Sequence, residues 1–393
     1  MTHTDPLPTP PEAALRLSRQ LQSLIIEDIN RSGGAISFER YMELALYAPG
    51  LGYYSAGSIK FGEHGDFVTA PELGSLFSTC LANQLRQVLK LTAGGDILEL
   101  GGGSGALAAD LLNALDTLGT LPEQYYMLEP SAELRTRQQD RISNSAPTMV
   151  DRVVWLDTLP DQGFEGVIVA NEVMDAIPAR RWQIDQGMLV ELCVTVKDDR
   201  LAWQPTAPDS ALNNAYEHIT GSFKQPLPDG YHSELNLLLP AWIASLAGIL
   251  KRGILLLIDY GYPRREYYHP QRAMGTFRCH YRHRAHDNPF LWPGLQDMTV
   301  SVDFTAVAEA GTAAGLDLMG LTNQAGFLIG CGLEHHLQTD SSLDERLQLA
   351  QMREVRLLTD PSEMGERCKA IAFGRDIEQS LMGYSVFDQR ARL

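Results

Sequence analysis

Two sets of residues in this chain have types and spacings suited to chemistry. One is a run of glycines behind a short apolar segment; the other is a series of carboxylates at the ends of such segments. Residues 97–106 read Ile-Leu-Glu-Leu-Gly-Gly-Gly-Ser-Gly-Ala. The apolar run Ile97 to Leu100 predicts a buried strand, and the Ala/Leu-rich stretch Ala106 to Leu115 predicts a helix. Glycine has no Cβ, so the backbone between them can turn sharply and approach a ligand closely. A helix N-terminus behind such a turn presents N–H groups to a polar ligand. A nucleotide-like cofactor is therefore expected here. Gly101, Gly103 and Ala106 fit the G-x-G-x-x-G/A fingerprint of dinucleotide binders. Glu99 fits that ligand poorly, because a carboxylate repels a pyrophosphate and attracts a cationic sulfonium or ammonium. The glycines alone leave open an NAD(P)-dependent dehydrogenase, and a strand–turn–helix that holds no ligand.

The other carboxylates follow further apolar runs. Glu129 ends the run Tyr125 to Leu128, 28 residues after Gly101, where it can accept both hydroxyls of a ribose. Asp157 follows Val153 to Leu156, Asn171-Glu172 follow Gly166 to Ala170, and Asp259 follows Gly253 to Ile258. Parallel strands deliver a site at their C-terminal ends in this manner. Two more strands are expected at 316–322 and 369–374. Asp175 comes three residues after Glu172, on the same face if the segment is helical.

The elements that must position these groups make an α/β, Rossmann-like domain over residues 93–393. It is preceded by a disordered arm at 1–12 and by a helical cap with a cofactor-covering loop at 13–92. In the cap, Leu17, Leu21, Leu24 and Ile25 have helical spacing, Ser37 is an N-cap for a helix to Tyr47, and 76–91 is a third helix. Residues 50–75, rich in glycine and aromatics, are expected to form a long ordered loop. Insertions at 180–240, with a hairpin around Asp185-Gln186-Gly187, and at 261–303 are expected to build the substrate pocket.

Composition narrows the partners. The chain has 393 residues and a net charge of −17, which disfavours nucleic acid and anionic membranes. Five cysteines without C-x-x-C spacing argue against a disulfide framework and lead to the expectation of a reducing, cytoplasmic setting. There is no apolar signal segment and no membrane-spanning run. The basic exception is 264–286, with Arg264, Arg265, Arg272, Arg278, Arg282 and Arg284. These arginines could pair with local acids or meet a protein or RNA. Cys279, His283 and His286 have ligand-like spacing, but no second pair completes a zinc site, and no metal is expected.

The string Glu99 to Gly105, E-L-G-x-G-x-G, resembles motif I of the class I S-adenosylmethionine-dependent methyltransferases. Four longer strings resemble the MidA-type methyltransferases, relatives of the mitochondrial complex I assembly arginine methyltransferase. They are Gly-Asp-Phe-Val-Thr-Ala-Pro-Glu-Leu-Gly at 65–74, Asn-Glu-Val-Met-Asp-Ala-Ile-Pro at 171–178, Gly-Thr-Phe-Arg-Cys-His-Tyr-Arg-His-Arg at 275–284 and Gln-Asp-Met-Thr-Val-Ser-Val-Asp-Phe at 296–304. The chain departs from its relatives at Gly102 and Ser104, where they often carry proline and arginine.

The resemblance implies a seven-stranded class I fold and S-adenosyl-L-methionine as cofactor. It implies that Gly101, Gly103 and Gly105 pass under the methionine part with Glu99 helping to hold it, that Thr69, Pro71 and Glu72 lie over the cofactor, and that Glu129, Asp157 and Asn171 complete the set. It also implies a protein arginine as acceptor, in a subunit of a respiratory NADH–quinone oxidoreductase. Glu172 and Asp175 would then orient the planar guanidinium, with Asp259 as a third acid, and proximity would supply most of the acceleration. The rival readings are a non-catalytic cofactor-binding assembly factor, a dehydrogenase, and a methyltransferase of RNA or a small molecule.

Overall fold

A computed structural model describes residues 7–55, 69–161, 163–336 and 345–393. The first half of the expected arm (1–6), the middle of the expected loop (56–68) and the start of the 65–74 string lie outside the described residues.

Along the chain the elements are helix α1 (Glu12–Arg31), strand β1 (Ala35–Ile36), helices α2 (Phe38–Tyr47), α3 (Ala70–Leu73) and α4 (Leu76–Leu91), and strand β2 (Asp96–Leu100). Then come α5 (Ala106–Thr117), β3 (Tyr125–Leu128), α6 (Ala132–Ser145), β4 (Val153–Leu156) and β5 (Phe164–Asn171). The strands continue with β6 (Arg180–Asp185), β7 (Met188–Lys197), β8 (Arg200–Thr206), β9 (His232–Leu235), β10 (Leu250–Tyr262) and β11 (Arg278–Tyr281). The last are β12 (Arg284–His286), β13 (Asp297–Thr299), β14 (Val302–Asp303), β15 (Asp317–Asn323) and β16 (Cys368–Arg375).

The chain divides into two compact units. One holds the described parts of 69–174, 240–263 and 302–393. Its sheet runs β15-β16-β10-β5-β2-β3-β4, with β14 paired beside β10. Strands β4, β3, β2, β5 and β10 are mutually parallel, and β16 is antiparallel to both β10 and β15. The central strands are buried on both faces: Ile97, Leu98, Val167, Ile168, Val169 and Ile254 through Leu257 are all inaccessible. This is why they read as continuous apolar runs rather than alternating ones. Helices α4 and α5 supply Leu81, Leu85, Val88, Leu107, Leu111 and Leu115 to the same core. From β2 the chain moves to β3 and β4 on one side, and from there to β5 and β10 on the other. Such a reversal opens a crevice outside the C-terminal strand ends, where open α/β sheets bind ligands.

The other unit gathers 7–55, 175–239 and 264–301. It has a sheet ordered β1-β7-β6-β9 with β8 on β7, and a three-stranded sheet β12-β11-β13. The hairpin expected at 185–187 joins β6 to β7. Its turn residues Gln186 and Gly187 have φ of 51° and 75°, the left-handed turn that suits strand twist. Ser37 caps α2, accepting from the Arg40 N–H at 3.1 Å. Helix α1 buries Leu21, Ile25 and Ile29, whereas Leu17, expected on that face, is 38% exposed. Steps of four residues rotate about 40° around a helix, so the stripe drifts off the core by its first turn. The core joins Ile25, Phe38, Tyr41, Tyr53, Val194, Phe277 and Met298.

The boundary expected at residue 92 is therefore not where this division falls. Helices α1 and α2 share a core with the two insertions, while α3 and α4 belong with the parallel sheet. The physical reason is strand pairing: Ala35 and Ile36 bond to Thr195 and Val194, a long-range contact that local spacing does not reveal.

Candidate active site

The glycine loop follows β2 at the C-terminal edge of the parallel sheet. Gly101, Gly103 and Gly105 take φ of 66°, 50° and 83°, values that disfavour any side chain. Space is equally restrictive. A Cβ on Gly101 would lie 2.7 Å from Val173 Cγ2, one on Gly105 would lie 3.0 Å from the Gln138 Cα, and one on Gly102 would strike the Met127 methyl. The loop is thus packed by neighbours that only bare backbone can approach, a cradle suited to the cofactor implied above.

Around it stand most of the expected carboxylates. Glu99, 2% exposed, accepts from the Tyr125 hydroxyl at 2.8 Å. Burial pushes its carboxyl up to about 7; the Tyr125 hydrogen bond opposes that shift and the charge of Glu129 adds to it. Glu129 is buried at the end of β3. Its Oε1 accepts from the Ser131 N–H at 2.9 Å, and its Oε2 accepts from Gln138 Nε2 at 3.2 Å. Asp157, by contrast, has a side chain 84% exposed and pairs at 2.5 Å with Arg135. That arginine also donates to the carbonyls of Leu156 and Glu129, so Asp157 helps to tie strand ends together.

Helix α3 begins directly after Thr69 and carries buried Pro71 in its first turn. Glu72 accepts from the Ser104 hydroxyl of the glycine loop and lies 3.5 Å from Arg141 of α6. The expected covering residues Thr69, Pro71 and Glu72 are in this way joined to the loop. Ser104, the departure noted in the sequence, makes the bond.

The turn after β5 is the most constrained part of the site. Glu172 has a φ of 52°, a left-handed conformation costing a non-glycine residue about 1–2 kcal/mol. Its N–H donates to the Ile258 carbonyl at 2.8 Å. Its Oε1 receives the Ala70 N–H of α3 at 3.4 Å and the Asn171 amide at 3.3 Å. With Asn171 Nδ2 so used, Asn171 Oδ1 is buried and has no hydrogen-bond partner among the described residues. Buried acceptors are nearly always satisfied, so this oxygen suits a donor from a bound ligand.

Asp259 differs in geometry from the third acid that was expected. Its side chain is inaccessible, and Oδ2 accepts from the N–H groups of Val173 at 3.1 Å and Met174 at 2.8 Å. Its carboxylate holds the turn rather than facing outward. Asp175, in the short 3-10 turn Met174–Ala176, belongs to the other unit. There it is 9% exposed, and its carbonyl accepts from the Val300 N–H at 2.9 Å. Glu172 and Asp175 therefore do not share one helix face.

Sequence reasoning passed over Gln138, Tyr125 and Trp155, and noted Ser104 without giving it a partner. Gln138 did leave a signal: Leu134, Gln138 and Ile142 are the buried residues of α6, so a glutamine sits in mid-stripe. In the basic segment, Arg264 is buried and Arg278 lies 3.3 Å from Asp287. Arg282 and His283 form the left-handed turn between β11 and β12. Among the described residues no group of three or more His, Cys, Asp or Glu could hold a metal.

Comparison with known proteins gives this geometry a context. The profile of a family described as S-adenosyl-L-methionine-dependent methyltransferase matches residues 80–322. The Drosophila melanogaster protein named "Protein arginine methyltransferase NDUFAF7 homolog, mitochondrial" is 28% identical over 398 residues, covering 91% of this chain and 84% of its own. The Homo sapiens "Protein arginine methyltransferase NDUFAF7, mitochondrial" is 26% identical over 370 residues, covering 86% and 79%. A solved structure of a protein from Burkholderia thailandensis, bound to S-adenosyl-homocysteine, is 41% identical with a TM-score of 0.94, covering 99% of this chain and 100% of that one. The expectation of a cytoplasmic protein is overturned, since these curated relatives carry mitochondrial names. Cysteine spacing speaks to disulfide pairing and not to address. No helix among the described residues is long and apolar enough to cross a membrane.

Proposed function

The chain belongs to this family of S-adenosyl-L-methionine-dependent methyltransferases, and from that premise we propose that it methylates a nitrogen of a protein arginine. The cofactor supplies an electrophilic methyl group. Gly101, Gly103 and Gly105 would cradle its amino-acid part, Glu99 and Asn171 Oδ1 would receive its cationic and hydrogen-bonding groups, and Glu129 would receive its ribose. Thr69, Pro71 and Glu72 would cover it, and Asp157 would steady the strand ends beside it.

The observation that carries the acceptor assignment is Glu172. It is a carboxylate held on a strained turn at the end of β5, bonded to the first turn of α3, and followed by Val173 against Gly101. A carboxylate accepts two N–H groups of a guanidinium side by side, which fixes the plane of the acceptor and leaves one nitrogen to be alkylated. In this reading Glu172 also takes the proton released from that nitrogen. The names of the curated relatives support arginine as acceptor. The finer reading, a subunit of a respiratory NADH–quinone oxidoreductase, rests on the family resemblance.

The test is Glu172→Gln. Loss of a charge-assisted bond of about 1.5–3 kcal/mol predicts a fall in methyl transfer of about tenfold to a hundredfold, with S-adenosyl-homocysteine binding kept. Unchanged turnover and acceptor affinity would remove Glu172 from the acceptor.

A further inference from the structure

Gln138 is a completely buried amide on α6 that none of the roles above requires. Its Oε1 accepts from the Trp155 indole N–H of β4 at 2.9 Å. Its Nε2 donates to the Gly103 carbonyl at 3.0 Å and to Glu129 Oε2 at 3.2 Å. The indole N–H can only donate, so it dictates which end of the amide faces it. Both amide protons then point at the glycine loop and at the carboxylate that ends β3. The other Glu129 oxygen is held by the Ser131 N–H at 2.9 Å, from the residue that caps the same helix. The plane of the Glu129 carboxylate is thereby set by α6 from two sides. Neither a larger nor a differently charged residue does this. Glutamate would set a second carboxylate against Glu129 and the Gly103 carbonyl, and an apolar residue would strand the Trp155 N–H. The close approach of α6 in turn needs Gly105, whose Cβ would meet the Gln138 backbone at 3.0 Å.

We propose that Gln138 is a positioning residue for cofactor selection: one amide locks Glu129 to the glycine loop, so that the site demands a ribose bearing both hydroxyls. The proposal rests on the reading of Glu129 as the ribose acid. A merely structural glutamine would weaken all ligands alike, whereas this one governs a ratio.

The experiment is calorimetry on the full chain with S-adenosyl-homocysteine and its 2′-deoxyribose analogue. The wild type is expected to prefer the full ribose by at least about tenfold, one charge-assisted hydrogen bond. Gln138→Met is expected to reduce that preference to within about threefold. Trp155→Phe, which removes the donor that orients the amide, tests the same lock without touching Gln138 and is expected to reduce the preference partway. It decides the matter if the methionine variant does not fold. Glu129→Ala is the control for the underlying reading. If it keeps the wild-type preference, the ribose role of Glu129 is wrong and the proposal falls with it. If Glu129→Ala loses the preference while the Gln138 and Trp155 variants keep it, even with weaker binding overall, Gln138 is structural and the proposal alone is overturned.

Discussion

At the scale of single residues the site is a set of carboxylates given different work by their surroundings. Glu99, directly before the glycine loop, is strongly perturbed. Burial raises its carboxyl from 4.5 to about 7. Between those values the unfolded chain has released a proton that the folded, ligand-free protein keeps. This group therefore makes the free protein less stable as pH rises from about 4.5 to 7, and its full penalty persists above that. A cationic ligand group favours the ionised carboxylate, so cofactor binding runs the other way. S-adenosyl-homocysteine is predicted to bind several-fold more tightly at pH 8 than at pH 6, and Glu99→Gln to flatten the dependence. Equal affinity at both pH values in the wild type would separate Glu99 from the cationic end of the cofactor. Asp259 shows the opposite assignment, a buried carboxylate spent on the backbone N–H groups of Val173, Met174 and Tyr260. Asp259→Ala is predicted to cost about 1–3 kcal/mol or more through the stranded donors and to lower turnover, whereas Asp259→Asn, which keeps an acceptor, recovers part of both. A pH–rate profile of unchanged shape in the asparagine variant is expected, because the group holds a turn and exchanges no proton with the acceptor. A lost limb of that profile would return Asp259 to a direct role.

At the scale of elements, the site depends on α3, the glycine loop, α6 and the β5 turn being tied to one another. Gly105→Ala forces a side chain into a left-handed position and against the backbone of α6. It is predicted to lower stability by about 1–2 kcal/mol and to weaken cofactor binding at the same time. A variant with wild-type melting and wild-type affinity would show that the loop has slack. The elements also explain what was legible in the chain. Strands of the parallel sheet read plainly: Tyr125–Leu128 and Val153–Leu156 have the limits their apolar runs predict, and Asp96–Leu100 begins one residue before its run. The glycine loop and the strand-end acids followed from the same runs. Strand β1 was illegible because its two residues make sense only beside β7. The work of Gln138 was illegible because it arises where a helix lies over two strand ends, although a glutamine among Leu134 and Ile142 marked the place. Glu172 and Asp175 looked like neighbours on a helix; a left-handed residue at Glu172 and the short 3-10 turn after it remove that relation.

At the scale of the whole molecule, the two units each have their own core, and the parallel-sheet unit carries the cofactor cradle, Glu129 and Glu172. The five cysteines are free and buried, and burial raises the Cys80 thiol to about 12. Thiolate is the reactive form, so the native protein is predicted to react with a thiol reagent far more slowly than the unfolded chain. Rapid labelling of several thiols in the native state would contradict this packing. The account as a whole turns on what receives the methyl group. The most direct measurement is to incubate the full chain with isotopically labelled S-adenosyl-L-methionine and candidate acceptor proteins, and to locate the label by peptide mass spectrometry in wild-type and Glu172→Gln reactions. Label on arginine side chains, lost with the Glu172 variant although S-adenosyl-homocysteine still binds, is the predicted result. Label on another residue type, on RNA or on a small molecule, or a bound cofactor that is never turned over, would contradict it.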